Sequence, residues 1–487
     1  MKTHIIRNSR GLGVLLMAGL LGGGCGTLAP KYQRPEAPVP ETWPGGNADE
    51  AAGTAQDAVS IPEIQWPSYF TDPRLREVIQ RGLDNNRDLR LAALNAERAR
   101  ALYGVQRAEL WPSVNATGTG SRQRMSSDLV QPGQPRISDR YEVNLGIAAW
   151  EIDLFGRIRS LKAQALEEYL ASEHLRRGAR VSLISAIASA YYALAADRSA
   201  LDLARSTWAA QEETHRMIQR QYAAALITEI DVRRSQSQVD AARGDVARAV
   251  QREAQSRNAL NLLAGAPVPE DWLPAGLEGV QAPLALTPGL SSDALLARPD
   301  ILAAEHQLKA AHAFIGAARA AFFPRIGLTA AVGTASDDLS RLFGSGTGVW
   351  SFAPNMALPI FDVRTWAANR ASTTARDIAR VQYEKAIQSA FRDVADTLAA
   401  RGTLGEQGDA QQALVESTTA IHRLALKRYE KGIDSYLSVL DAQRNMLGAR
   451  QGWVALQFAQ LANDVKLYAV LGGGGEDPAS IQSEGRR

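Results

Sequence analysis

The chain has 487 residues, 45% of them hydrophobic and 22% charged, which is the composition of a folding sequence and not of a disordered tail. Its 54 Lys+Arg against 52 Asp+Glu leave a formal charge of +2, which excludes the strong basic excess of a dedicated nucleic-acid binder. A single cysteine excludes an intrachain disulfide and any multi-cysteine zinc or iron–sulfur site.

Lys2, Arg7 and Arg10 precede an apolar run from Gly11 to Leu21. A positive flank followed by a short apolar stretch predicts a secretory signal over residues 1–24, too short for a membrane helix of about 20 residues. The run closes Leu21-Gly22-Gly23-Gly24-Cys25. Small residues directly before the sole cysteine predict a lipoprotein processing site. Cys25 then becomes the acylated first residue of the mature chain and begins an extended segment, 25–71. No later stretch offers the run of about 18 uncharged apolar residues that a spanning helix requires. Any membrane crossing must therefore be a β-barrel.

All 21 prolines avoid residues 136–266 and 360–477. Proline inside a helix costs about 3 kcal/mol, so these windows predict very long helices. Apolar residues recur there every seven positions, as Ile187, Leu194, Leu201 and Trp208, and as Leu440, Leu447, Val454, Leu461 and Tyr468. That repeat predicts coiled-coil seams. Each window breaks once, at Ala225-Leu226-Ile227-Thr228 and at Lys431-Gly432-Ile433-Asp434. Gly432 suits a helix C-terminus, and Thr228 and Asp434 suit the next N-cap. The windows thus read as helical hairpins over 155–264 and 364–470.

The sequence also repeats itself. Asp88 to Asp300 and Pro112 to Pro324 are both offset by 212, and Arg220-Gln221-Tyr222 to Lys427-Arg428-Tyr429 by 207. This predicts one unit of about 210 residues used twice: a first repeat 72–271, an equatorial linker 272–299, a second repeat 300–471 and a flexible tail 472–487. Each repeat carries a strand pair, 112–124 with 140–152 and 325–334 with 349–359. Tyr141, Val143, Leu145, Ile147 and Ala149 alternate with polar or small residues, as do Ile326, Leu328, Ala330 and Val332 and, further on, Trp350, Phe352, Met356 and Leu358. The segment 112–124 alternates only weakly. Such alternation suits a membrane strand with one lipid face. Four strands cannot close a barrel, since bacterial barrels begin at about eight, so three chains would have to share one of twelve. The helix lengths agree: 155–222 spans about 100 Å, close to the sum of 229–264 and 85–110.

The ordered set Tyr32-Gln33-Arg34-Pro35, Phe70-Thr71-Asp72-Pro73, Asn85-Asn86-Arg87-Asp88-Leu89, Arg298-Pro299-Asp300-Ile301, Phe322-Phe323-Pro324, Pro359-Ile360-Phe361-Asp362 and Val439-Leu440-Asp441-Ala442-Gln443 resembles the outer-membrane factor (TolC-like) family. The resemblance covers nearly the whole mature chain and is nearest to the lipoprotein branch that serves resistance-nodulation-division tripartite efflux systems. It implies a mixed, mainly α fold with β. A trimeric twelve-stranded outer-membrane barrel would continue into a long periplasmic α-helical coiled-coil barrel. The chain would act as a passive exit duct for drugs or other small molecules, working with a periplasmic adaptor and an inner-membrane pump. The resemblance further implies an inter-helix link between Asp231 and Tyr429 that holds a closed periplasmic gate. It also implies an apolar ring at Leu437 and an acidic ring at Asp441. The hairpin-tip residues Ala225, Leu226, Thr228, Gly432, Ile433 and Asp434 would meet the adaptor. Ala225 stands where the family usually has glycine, and Ser438 where some relatives carry a second acid.

Chemistry of other kinds has little to stand on. The chain lacks His-Glu-x-x-His, Gly-x-Ser-x-Gly and a phosphate-binding glycine loop. His306 and His312 lie six apart, a poor helical metal spacing. No enzyme activity, metal or cofactor is expected beyond the covalent lipid at Cys25. The alternative is a periplasmic adaptor lipoprotein, which has one hairpin flanked by lipoyl-like and barrel domains. Two hairpins and two alternating strand pairs favour the duct.

Overall fold

The computed structural model describes residues 26–40, 43, 65–131, 133–284 and 292–473. The expected signal segment, Cys25, parts of 25–71 and of 272–299, and the tail beyond Gly473 lie outside them. A helical turn α1 (Trp66–Tyr69) leads to α2 (Pro73–Asn85) and α3 (Arg87–Ala108). Strands β1 (Val114–Arg124) and β2 (Ile137–Glu151) follow, then α4 (Arg157–Ala223) and α5 (Glu229–Ala264). After a stretch of short 3-10 turns come α6 (Pro299–Ala320), β3 (Arg325–Ser336), β4 (Gly348–Ala357), α7 (Val363–Glu430) and α8 (Tyr436–Val470).

Local chemistry sets the ends of these elements. Asp72 caps α2, its carboxylate accepting from the N–H groups of Arg74 at 2.9 Å and Leu75 at 3.3 Å, with Pro73 in the first helical position. The helix expected over 85–110 begins at Arg87, parted from α2 at Asn86. Its Oδ1 accepts from Leu89 N at 3.0 Å and its Nδ2 donates to Leu263 O at 2.9 Å. That side chain ends one helix, caps the next and ties both to α5. Gly265 closes α5 at φ 70, where a Cβ would lie 2.5 Å from the Asn85 carbonyl oxygen. With 67 and 68 residues, α4 and α7 are each about 100 Å long. One stretch of α4 is long and apolar enough to cross a membrane by length and composition. Its Ile184, Ile187, Ala188, Tyr191 and Leu194 are buried within the protein.

The chain divides into two compact units. One comprises the segment ending at Glu36, Asn95–Ser172 and Ala303–Tyr383. It holds a four-stranded antiparallel sheet in the order β1-β2-β3-β4. Paired residues share a face, so Leu145, Val332 and Trp350 line up on one side, as do Ile147, Ala330 and Phe352. Asn144, Gly333 and Val349 line the other. The alternation expected from Tyr141 through Ala149 stops at Ile147. The register shifts between Ile147 and Trp150, and Ala149 takes φ 53 while its N–H donates to Thr329 Oγ1 at 3.2 Å. This is a β-bulge, which bends the strand where it leaves the sheet. In the same unit Glu305 of α6 is 3% exposed, yet it pairs with Arg34 and with Lys309 at 3.0 Å and accepts from Tyr32 Oη at 3.1 Å.

The other unit comprises Ala37–Leu94, Glu173–Leu302 and the part after Glu384. Its core contains an aromatic cluster. Tyr69 stacks on Tyr468 at 4.9 Å, with Phe70 edge-on to both. Two buried hydroxyls here are paired, Tyr69 donating to Asp464 O at 2.7 Å and Tyr192 to Gln281 O at 3.0 Å.

Candidate functional site

The second unit carries both hairpin turns. At the first, Ala225 N donates to Tyr222 O at 2.9 Å and Leu226 N to Gln221 O at 3.0 Å. At the second, Gly432 N donates to Tyr429 O at 2.9 Å and Ile433 N to Arg428 O at 2.9 Å. Both are Schellman motifs, whose penultimate residue must adopt a left-handed conformation. Gly432 does so at φ 73 without cost, whereas Ala225 does so at φ 58 and carries a Cβ. The following apolar residue of such a motif often packs back on the last helical turn. Here that turn offers Gln221 and Arg428, and Leu226 and Ile433 remain 74% and 58% exposed.

The return helices start differently. Thr228 precedes α5, and Asp231 Oδ2 accepts from Thr228 N at 3.3 Å and Thr228 Oγ1 at 2.8 Å, closing the first turn. In the second hairpin the N-cap is Ser435 and not the expected Asp434. Asp434 turns back to Arg428, accepting from Nε at 2.6 Å and Nη2 at 3.1 Å. That hydrogen-bonded guanidinium holds the Asp434 carboxyl below its ordinary value.

Behind the turns the four helices share a small core. Ile218 of α4 and Tyr436 and Val439 of α8 are buried, with Val232 of α5 and Leu426 and Tyr429 of α7 packed against them. Tyr429 lies 5.5 Å from Tyr436, ring to ring. The Tyr429 hydroxyl donates to Gln221 Oε1 at 2.7 Å, joining the last turns of α7 and α4. Of the two residues whose link the resemblance implies, Tyr429 is bonded within the chain to Gln221 and Asp231 to Thr228. Burial first, and the Asp231 charge second, push the Tyr429 phenol above its ordinary value, so it stays a hydrogen donor. Burial likewise pushes Tyr436 up to about 12.

Leu437 and Asp441 stand one turn apart on α8. Leu437 is 50% exposed. Asp441 is also exposed and approaches Arg444 at 3.3 Å, a surface pair of small energy. Sequence reasoning missed Gln221, Tyr436 and Arg444. The 207-residue offset placed Gln221 opposite Arg428 but carried no sign of its bond to Tyr429. Among the described residues no group of three or more His, Cys, Asp or Glu is placed to hold a metal. The arrangement offers a breakable polar tie, exposed apolar tips and exposed acid and leucine side chains, which together suit a gated opening.

Comparisons with known proteins find relatives among outer membrane efflux proteins. The outer membrane efflux protein family profile matches residues 78–266 and 290–473. The toluene efflux pump outer membrane protein TtgC of Pseudomonas putida is 45% identical over 463 residues, covering 94% of this chain and 95% of that protein. The outer membrane protein OprJ of Pseudomonas aeruginosa is 40% identical over 482 residues, covering 97% of each. Among solved structures, the open state of the MtrE outer membrane channel of Neisseria gonorrhoeae superposes with a TM-score of 0.81 at 39% identity, covering 92% of this chain and 98% of that one.

Proposed function

The chain belongs to the outer membrane efflux protein family, and from that premise we propose that three copies form one passive exit duct of a tripartite efflux pump. It is an outer-membrane efflux channel with a periplasmic extension, and the adaptor alternative falls away because its relatives are channels. Drugs or other small molecules pass through it without covalent chemistry. A periplasmic adaptor and a resistance-nodulation-division pump are its partners, the adaptor meeting the exposed Leu226 and Ile433 at the hairpin tips. Cys25 carries the lipid anchor.

The observation that carries the shared barrel is the sheet. Its four strands have one apolar and one polar face, and among the described residues β1 and β4 are edges with no partner strand. Unpaired edges are untenable in hydrocarbon, because every exposed N–H and C=O there costs several kcal/mol. Pairing β4 of one copy with β1 of the next removes all edges, and three copies supply the twelve strands of a closed barrel. Single cysteines scanned along β1 and β4 test this. Oxidation should link copies into bands that stop at three chains. No chain-to-chain link at any position would reject the shared barrel.

A further inference from the structure

The register gathers the charges of the sheet's apolar face at one end of that face. The apolar face runs through Val114–Ile147, Ala116–Leu145, Gly118–Val143 and Gly120–Tyr141 on β1 and β2. It continues through Val332–Trp350, Ala330–Phe352 and Ile326–Met356 on β3 and β4. Past Tyr141 the same face continues with Arg122 opposite Asp139, then Arg124 opposite Ile137. These three are the only charged residues on that face of the four strands, two guanidinium groups against one carboxylate. Arg122 meets Asp139 at 3.4 Å with its side chain 73% exposed. Arg124 is exposed and forms no ion pair among the described residues.

Their depth follows from strand geometry. From Ile326 to Ser336, which is level with Tyr141, the strand rises about 33 Å, or about 25 Å along a barrel axis at the usual tilt. That is the height of an outer-membrane apolar band, and Tyr141 stands where an aromatic girdle belongs. Arg122 and Arg124 lie two and four residues beyond it, in the headgroup layer. This end of the sheet holds the β1–β2 and β3–β4 connections, while the opposite end runs into the helices. With the helices periplasmic, the arginines face the outer leaflet.

We propose that Arg122 and Arg124 form a binding site for the phosphates of an anionic glycolipid of the outer leaflet. The proposal rests on the reading that the apolar face meets lipid. Guanidinium forks match phosphate oxygens in paired hydrogen bonds, and two arginines at i and i+2 stand about 6.6 Å apart on one face. A soluble anion would give no reason for this placement. Arg140, at a similar height, lies on the opposite face and is paired with Glu142.

Native mass spectrometry of the detergent-purified full-length protein tests the site, with bis-phosphorylated lipid A as probe. The wild type should retain it and bind the dephosphorylated form about tenfold less, and excess inorganic phosphate should not displace it. Arg122→Gln with Arg124→Gln should lower retention about tenfold, as expected for lost charge-assisted bonds. The double lysine variant should keep part of it, and Arg140→Gln should keep all of it. Unchanged retention in the double glutamine variant, equal loss in Arg140→Gln, or displacement by inorganic phosphate would overturn the proposal. A fluorophore on Leu145→Cys in vesicles with brominated acyl chains separates the two readings. Quenching there with unchanged retention rejects the arginine site alone. No quenching removes the lipid face and the proposal with it.

Discussion

The Tyr429 hydroxyl donates to Gln221 Oε1 across 2.7 Å, so the last turn of one long helix is tied to the last turn of the other by one neutral hydrogen bond. Such a bond contributes about 0.5–1.5 kcal/mol net. That is enough to bias a closed tip and little enough for a partner to undo.

Removing either side of this tie should therefore open the channel at rest. Tyr429→Phe and Gln221→Leu should each raise resting conductance in a planar bilayer by about 2- to 10-fold. The double variant should do no more than either single one, because both remove the same bond. Asp231→Ala should instead loosen the start of α5 by about 1 kcal/mol through loss of its bonds to Thr228. Unchanged conductance in both Tyr429→Phe and Gln221→Leu would reject the tie.

The two turns should respond oppositely to the same exchange. Ala225→Gly relieves a left-handed alanine and should stabilise its turn by about 0.5–1 kcal/mol, whereas Gly432→Ala should cost its turn about 1 kcal/mol. Amide hydrogen exchange read separately over 222–228 and 429–435 should slow in the first variant and quicken in the second.

How much of this was legible beforehand differs by element, for physical reasons. Proline exclusion marks helices because a buried ring in the ladder is so costly: α7 and α8 fill the second proline-free window nearly end to end, while the first holds β2 ahead of α4 and α5. The strand β1 was faint because its apolar-face residues after Val114 are Ala116, Gly118 and Gly120, too small to register as hydrophobic alternation. The bulge at Ala149 and the cap at Ser435 left no trace, since backbone φ values and the choice between two adjacent caps depend on neighbours distant in sequence. At the tips the residue types were readable and the partners were not. Asp434 found Arg428, and Tyr429 found Gln221, through helix packing that no local pattern encodes.

Glu305 makes the sheet-bearing unit sensitive to acid. Burial pushes its carboxyl up, but the hydrogen bonds and charges of Arg34 and Lys309 outweigh burial and hold it below its ordinary 4.5. A depressed carboxylate stabilises the fold above its unfolded value, and that contribution is lost as pH falls through the folded value. Denaturation midpoints of the wild type should thus fall steeply below pH 4.5, and those of Glu305→Gln should fall less over the same range. Arg34→Ala, which leaves the buried carboxylate with Lys309 alone, should cost about 3 kcal/mol at neutral pH. This is the low end for a buried pair, since Arg34 is itself half exposed. A matching slope in Glu305→Gln would remove Glu305 as the source.

The proposed trimer gives Asp441 a test through ion preference. Three copies around one axis would bring three carboxylates close together and favour cations, tempered by Arg444 at 3.3 Å from each. Asp441→Asn should lower the cation preference read from reversal potentials in asymmetric salt, and Arg444→Gln should raise it. The same preference in both variants would place Asp441 away from the conduction path.

Three chains that share one barrel have a definite mass, which light scattering reads on the detergent-purified protein. Three copies of this 52.5 kDa chain, less the expected signal segments, should run as a single species of about 150 kDa after the detergent is discounted. A monomer would leave β1 and β4 as open edges in the membrane and would contradict the shared barrel outright.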